Sequence, residues 1–173
     1  MSATNQGLPG YPVGHSQSEM TELVLPNDTN QLGVLLGGRL MHWIDLAGAL
    51  AAHRHSNCHA VTASMDHIDF VAPVNMGDFV ILKSSVNRAF HTSMEVGVKA
   101  YSENYQNRSR HHVASAYLTF VAVDRNRKPV AIPPVIPETD VEKRRYEDAA
   151  ERRKASLESR RRGKAGREKT PAD

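Results

Sequence analysis

Between residues 58 and 124 this chain reads as one β-strand after another, and one earlier segment carries an apolar stripe suited to a core helix. Leu40, Ile44, Ala47 and Ala51 recur at three-to-four spacing, with Met41, Asp45, Gly48 and Ala52 on the adjacent stripe, which predicts a helix over 38–53. Trp43 and Met41 either pack the core within it, the favoured reading, or line a tunnel for an apolar ligand. A short strand is expected over 20–25, a turn at 26–28, and longer strands over 58–71, 79–89, 93–103 and 111–124. Met94, Val96, Val98 and Ala100 alternate with Glu95, Lys99 and Tyr101, and Phe90-His91-Thr92 forms the turn into that strand. Strand 111–124 is apolar on both faces and so is expected to be covered on both. One helix and one run of mainly antiparallel strands define an α+β chain in which a curved sheet wraps a single central helix. One layer of each is thin for this apolar content, so an obligate homo-oligomer is expected.

Composition narrows the function classes. A length of 173 residues suggests one domain, and 40% hydrophobic with 24% charged residues suits a globular protein. No apolar run approaches a membrane span. Residues 1–19 show neither a basic n-region nor an apolar h-region, so a cytoplasmic location is expected. Cys58 is the single cysteine and can form no intrachain disulfide. From residue 138 onward there are twelve Lys/Arg against nine Asp/Glu, and the remainder holds ten of each. The body is therefore neutral, and no nucleic-acid partner is expected for it. The organisation read here is a flexible segment 1–17, a folded domain 18–137 and a charged tail 138–173, partly helical or disordered, with almost no apolar stripe. A solvated extension is the plainer reading of the tail; contact with anionic lipid, nucleic acid or another subunit is the other.

The chemistry concentrates in PNDTNQLGVLLGGRLMHWIDLAGALAA, residues 26–52. Gly37 and Gly38 sit where the helix should begin, so their N–H groups lack intrahelical partners. Asp45 lies about two turns further on, and Asn30 lies in the preceding loop. A carboxylate near unpaired donors offers a base for water and a cradle for an oxyanion. Singly, each piece has a plainer explanation: a turn for the glycines, a solvated residue or an ion-pair partner for Asp45, a cap for Asn30. His53 and His55 flank Arg54, and His111 adjoins His112, but neither spacing shares a face and no acidic or thiol residue completes a ligand set, so no metal is expected.

Four segments together resemble the hotdog-fold acyl-CoA thioesterases of the bacterial acyl-CoA hydrolase type, related to the brain-type acyl-CoA hydrolase. They are LPNDTNQLGVLLGGRLMHWIDLAGALAA (25–52), VTASMDHIDFVAPVNMGD (61–78), SMEVGVKAYSEN (93–104) and AYLTFVAVD (116–124), followed by the Pro133-Pro134 pair and Pro137-Glu138-Thr139. The resemblance implies a hotdog fold over residues 20–139 that oligomerises through paired units, as a dimer or a hexameric trimer of dimers. It implies hydrolysis of fatty acyl-CoA, with the coenzyme A moiety belonging to the substrate and no cofactor required. Asn30, Asp45, Gly37 and Gly38 match the family's catalytic positions, with Asp45 as general base on water or as a nucleophile that attacks directly to give an anhydride, and Asn30 of one subunit would face Asp45 of the other. Leu36 stands where the family usually has Phe or His before the glycine pair. Arg88 and Ser93 would lie near the CoA nucleotide. A non-catalytic acyl-CoA-binding regulator on the same fold is the alternative.

Overall fold

The computed structural model of the protein describes residues 7–167. The expectations for residues 1–6 and 168–173 lie outside the described residues. In chain order the elements are β1 (Tyr11–Pro12), β2 (Ser18–Leu23), α1 (Gly37–Ser56), β3 (His59–Phe70), β4 (Phe79–Ala89), β5 (Ser93–Glu103), β6 (Arg110–Val123), β7 (Val135–Ile136) and α2 (Asp140–Arg167). A 3₁₀ turn at Val13–Ser16 leads into β2, and a second occupies Pro26–Asp28.

Strands β2-β4-β5-β6-β3 form one antiparallel sheet in that order. Helix α1 touches all five, so the sheet curls about it as the hotdog arrangement requires. Leu40, Trp43, Ile44, Ala47, Ala51 and Ala52 fill the interface, each 5% exposed or less, against Leu82, Val96, Leu118 and Phe120. Gly48 lets the helix approach closely, since a Cβ there would lie 3.0 Å from the Phe120 ring. The Ser84 hydroxyl donates to the Ala47 carbonyl at 2.7 Å and fixes which face of β4 meets the helix. Asn57 takes a left-handed φ of 51° and ends α1 with its N–H on the His53 carbonyl. Met41, read with Trp43 as core packing, is 40% exposed in one protomer, whereas Trp43 is 5% exposed. Among the described residues no helix is long and apolar enough to cross a membrane.

Two regions are more structured than the sequence suggests. Residues 7–17, expected to be flexible, pair Tyr11–Pro12 in parallel with Val135–Ile136 and bury Val13 and Ser16. The tail forms α2, whose first half docks on the sheet face away from α1. It has no apolar stripe; arginines do the docking. Arg152 places two nitrogens on the Glu95 carboxylate at 2.8 and 2.9 Å and its guanidinium over Tyr117 at 3.8 Å. Arg88 stacks on Tyr146 at 3.9 Å, Arg153 on Phe90 at 4.4 Å, and Ala149 is fully buried. Guanidinium planes cover aromatic rings as an apolar side chain would, while keeping polar edges for partners.

Candidate active site

The start of α1 is held by its preceding loop. The buried Asp28 carboxylate accepts from Arg39 Nε at 2.6 Å and from the Leu25 N–H at 3.1 Å, and the Asp28 carbonyl accepts from the Leu36 N–H at 2.9 Å. This clamps the loop to the first helical turn. Leu36 is the N-cap in extended geometry and supplies no side-chain cap. The N–H groups of Arg39 and Leu40 both turn back to the Leu36 carbonyl, at 3.0 and 3.1 Å. Those of Gly37 and Gly38 have no acceptor among the described residues. Two free donors therefore stand at the positive end of a 20-residue helix.

A cavity of about 370 Å³ opens beside them, lined by Gly37, Leu35, Leu40 and Phe70 with the chain through Ala72 and Val74. A Cβ on Gly37 would meet the Phe70 ring at 3.8 Å, and one on Gly38 would meet nothing within 4 Å. Gly37 thus lines a mostly apolar hollow with Gly38 next to it in the chain, an arrangement that suits a polarised carbonyl carrying an acyl chain.

Asn30 sits in a tight turn closed by Gly33, whose φ is 72°. The Asn30 side-chain oxygen accepts the N–H groups of Leu32 at 2.9 Å and Val34 at 3.2 Å. With Oδ1 so occupied, its Nδ2 has no acceptor among the described residues. Asp45, half-buried on α1, accepts the Thr62 hydroxyl of β3 on Oδ1 at 2.7 Å. The register of β3 slips just after Thr62, and such a bulge re-aims the neighbouring side chain. Thr62 was not singled out by its sequence context; strand alternation opposite a helical carboxylate was the one available signal.

Within one protomer the structure brings Asp45 to Thr62 and Gly37 to Phe70, but no hydrogen bond joins Asn30 to Asp45 among the described residues. Eight residues of α-helix separate Gly37 from Asp45, about 12 Å along the axis. The resemblance implies a place near the CoA nucleotide for Arg88 and Ser93. The Arg88 guanidinium is committed to α2, bonding the Tyr146 carbonyl at 3.1 Å and pairing with Glu147 at 3.7 Å, and Ser93 is 5% exposed. Among the described residues no group of three His, Cys, Asp or Glu side chains could hold a metal ion.

A curled sheet about one long helix, with free donors at that helix's start and a carboxylate on its flank, defines a hotdog thioesterase scaffold. Comparison with known proteins narrows this. Residues 32–107 match the Thioesterase superfamily. The chain is 43% identical over 132 residues to the acyl-CoA thioester hydrolase YkhA of Bacillus subtilis, covering 76% of this chain and 77% of that one. It is 44% identical over 142 residues to acyl-coenzyme A thioesterase 11 of Mus musculus, covering 82% of this chain but only 24% of the mouse protein's length. Among solved structures, an apo-hexameric acyl-CoA thioesterase superposes with a TM-score of 0.85 at 41% identity, over 88% of this chain and 97% of that one. An acyl-CoA hydrolase from Staphylococcus aureus in complex with butyryl coenzyme A and coenzyme A gives 0.85 at 36% identity, over 92% and 98%. The same hydrolase has been solved with single alanine replacements of an Asn, an Asp and a Thr, spaced fifteen and then seventeen residues apart. The chain belongs to the acyl-CoA thioesterase family.

Proposed function

We propose that this chain hydrolyses fatty acyl-CoA to the free acid and coenzyme A, in a site completed by a second subunit. The observation that carries the reading is the pair of unpartnered Gly37 and Gly38 N–H groups at the start of α1, with Gly37 lining the cavity. The thioester oxygen lies against these donors, which strengthen their hold as negative charge develops on it. Asp45 takes a proton from water as the oxygen attacks the carbonyl carbon. Thr62 fixes the Asp45 carboxylate, and the free Asn30 amide donor orients the water or the carbonyl. Collapse of the tetrahedral intermediate breaks the carbon–sulfur bond and expels coenzyme A as a thiolate, a good leaving group that needs no Lewis acid.

The distance of about 12 Å between Gly37 and Asp45 along one helix exceeds what one attacking water spans. A base from one subunit and oxyanion donors from another remove that difficulty. Strand β3 is a sheet edge with Val61 at 50% and Phe70 at 51% exposure, which fits it to pair with its counterpart in a second copy. The hexamer of the solved relative supports a trimer of such dimers. Asn30, Asp45 and Thr62 are also spaced fifteen and seventeen residues apart, in the same residue order as the replaced positions in the Staphylococcus aureus hydrolase, which supports their grouping here.

The test is release of coenzyme A, followed with a thiol reagent, across short to long acyl-CoAs for the parent and Asp45→Asn. Turnover that depends on chain length and collapses in the variant is expected. Tight acyl-CoA binding with no release in either protein would favour a ligand-binding regulator instead.

A further inference from the structure

On the sheet face away from α1 lies a second hollow, of about 430 Å³, within the range of small-molecule sites. Its cations are unusually placed. Lys83 of β4 and Lys99 of β5 are direct cross-strand partners, and both line the hollow. Like charges directly opposite each other destabilise a sheet. A third cation, Arg145, is delivered by α2. It shares a helix face with Ala149 and Arg152, at i, i+4 and i+7, and those two are anchored against the sheet, so Arg145 is held over the hollow.

The nearby acids balance these charges only in part. Glu19 pairs with Lys83 at 3.1 Å, both side chains being about half-exposed, and such a pair is weak. Glu142 interacts with Arg145 but is also tied to the start of α2, accepting the Glu138 and Thr139 N–H groups at 2.9 Å each. Glu95 is neutralised by Arg152. Lys99 has no ion pair among the described residues. The floor is kept bare: at Gly97 a Cβ would lie 2.9 Å from the buried Asn87 amide, so no side chain can rise there without displacing it. Tyr101 and Ser115 supply hydroxyl-bearing walls.

Two opposed lysines and an arginine around a bare-floored hollow are costly to the empty protein and favourable once an anion of two or more charges is present. We propose that this hollow is a second ligand site, on the opposite face of the sheet from the thioester site, and that it binds a small phosphate-bearing anion. Phosphate oxygens would lie between Lys83, Lys99 and Arg145, and any organic part against Tyr101.

The test is titration calorimetry on the full chain in its native oligomer, with ADP and, separately, with inorganic pyrophosphate. Parent, Lys99→Gln and Lys99→Arg are compared, and KM for acyl-CoA is measured on each. Expected is binding that weakens about tenfold or more in Lys99→Gln, as for loss of one charge-assisted contact, is restored in Lys99→Arg, and leaves KM unchanged. ADP binding more tightly than pyrophosphate would identify a nucleoside phosphate as the ligand type; equal binding would identify the phosphate groups alone. A second readout is thermal unfolding in low salt without ligand, where Lys99→Gln should be the more stable protein because the cross-strand repulsion is relieved. Absence of binding by both probes at millimolar concentration, or binding indifferent to Lys99→Gln, overturns the proposal and leaves the thioester site unaffected.

Discussion

The Thr62 hydroxyl on the edge strand β3 donates to Asp45 Oδ1 on α1 at 2.7 Å, tying the candidate base to the sheet edge most exposed to a partner. The bond uses one carboxylate oxygen and leaves the other for water. In the proposed mechanism Thr62 is a positioning residue. Thr62→Ala should lower kcat about tenfold or more, the scale of a lost hydrogen bond to a charged group, while KM stays near the parent value. Thr62→Ser should recover most of the loss. A rise in KM with kcat intact would show instead that Thr62 shapes substrate binding.

Gly37 permits a sharper test, since its N–H can be deleted with little change in the backbone. It is the first residue of α1, where proline is well accommodated, and Leu36 before it is already extended at φ −63°, ψ 130°. Gly37→Pro should therefore fold with near-parent stability in thermal unfolding. If its N–H is an oxyanion donor, the variant loses about 10²–10³ in kcat. Parent-like turnover would move the oxyanion site away from Gly37.

Sites shared between subunits make a prediction that a single-chain site cannot. Asn30→Ala and Asp45→Asn should each be nearly inactive alone, Asp45→Asn by a factor of about 10²–10⁴. Dissociating the two, mixing them in equal amounts and reassembling should restore about a quarter of the parent sites, since half the pairs are mixed and each mixed pair holds one intact site. No recovery in CoA release, with mixed oligomers demonstrated by mass, would place both groups in one chain.

Much of this was legible in the sequence, and the gaps have physical causes. Strands β4 and β5 fall at the expected residues because clean alternation and a three-residue turn leave little freedom. Helix α1 runs three residues past its expected end at 53, to Ser56, because Asn57 rather than a change of pattern ends it. Gly37, Gly38 and Asp45 were readable because each is out of place in an apolar helix. Thr62 was not, being one of several threonines and serines in β-rich sequence. Docking of α2 was also hidden: guanidinium stacking on Tyr117 leaves no hydrophobic periodicity to read.

That docking rests heavily on one buried charge. The Glu95 side chain is 6% exposed and also accepts from Asn87 Nδ2 at 2.9 Å. Arg152→Ala strands the carboxylate in the sheet face and should cost about 3–5 kcal/mol in denaturant unfolding. Adding Glu95→Gln to it should restore part of that loss, because the uncompensated charge is gone. A double variant as unstable as the sum of the singles would mean that α2 is held elsewhere.

His55 sets a pH limit on stability. Its ring is fully buried at the end of α1, with Nε2 2.9 Å from the Pro133 carbonyl and Nδ1 without a partner. Burial pushes its pKa below the ordinary 6.5, outweighing the Pro133 carbonyl, and His15 pushes in the same direction as burial. The folded state thus keeps His55 neutral while the unfolded chain takes up a proton below about pH 6.5. Its contribution is whole above that pH and is lost as pH falls toward the lower folded value. The unfolding temperature should be flat near pH 7–8 and decline below about pH 6.5. In His55→Gln, whose amide can still donate to the Pro133 carbonyl, the decline over the first unit below that point should be shallower. An identical decline in parent and variant would assign the acid sensitivity to other groups.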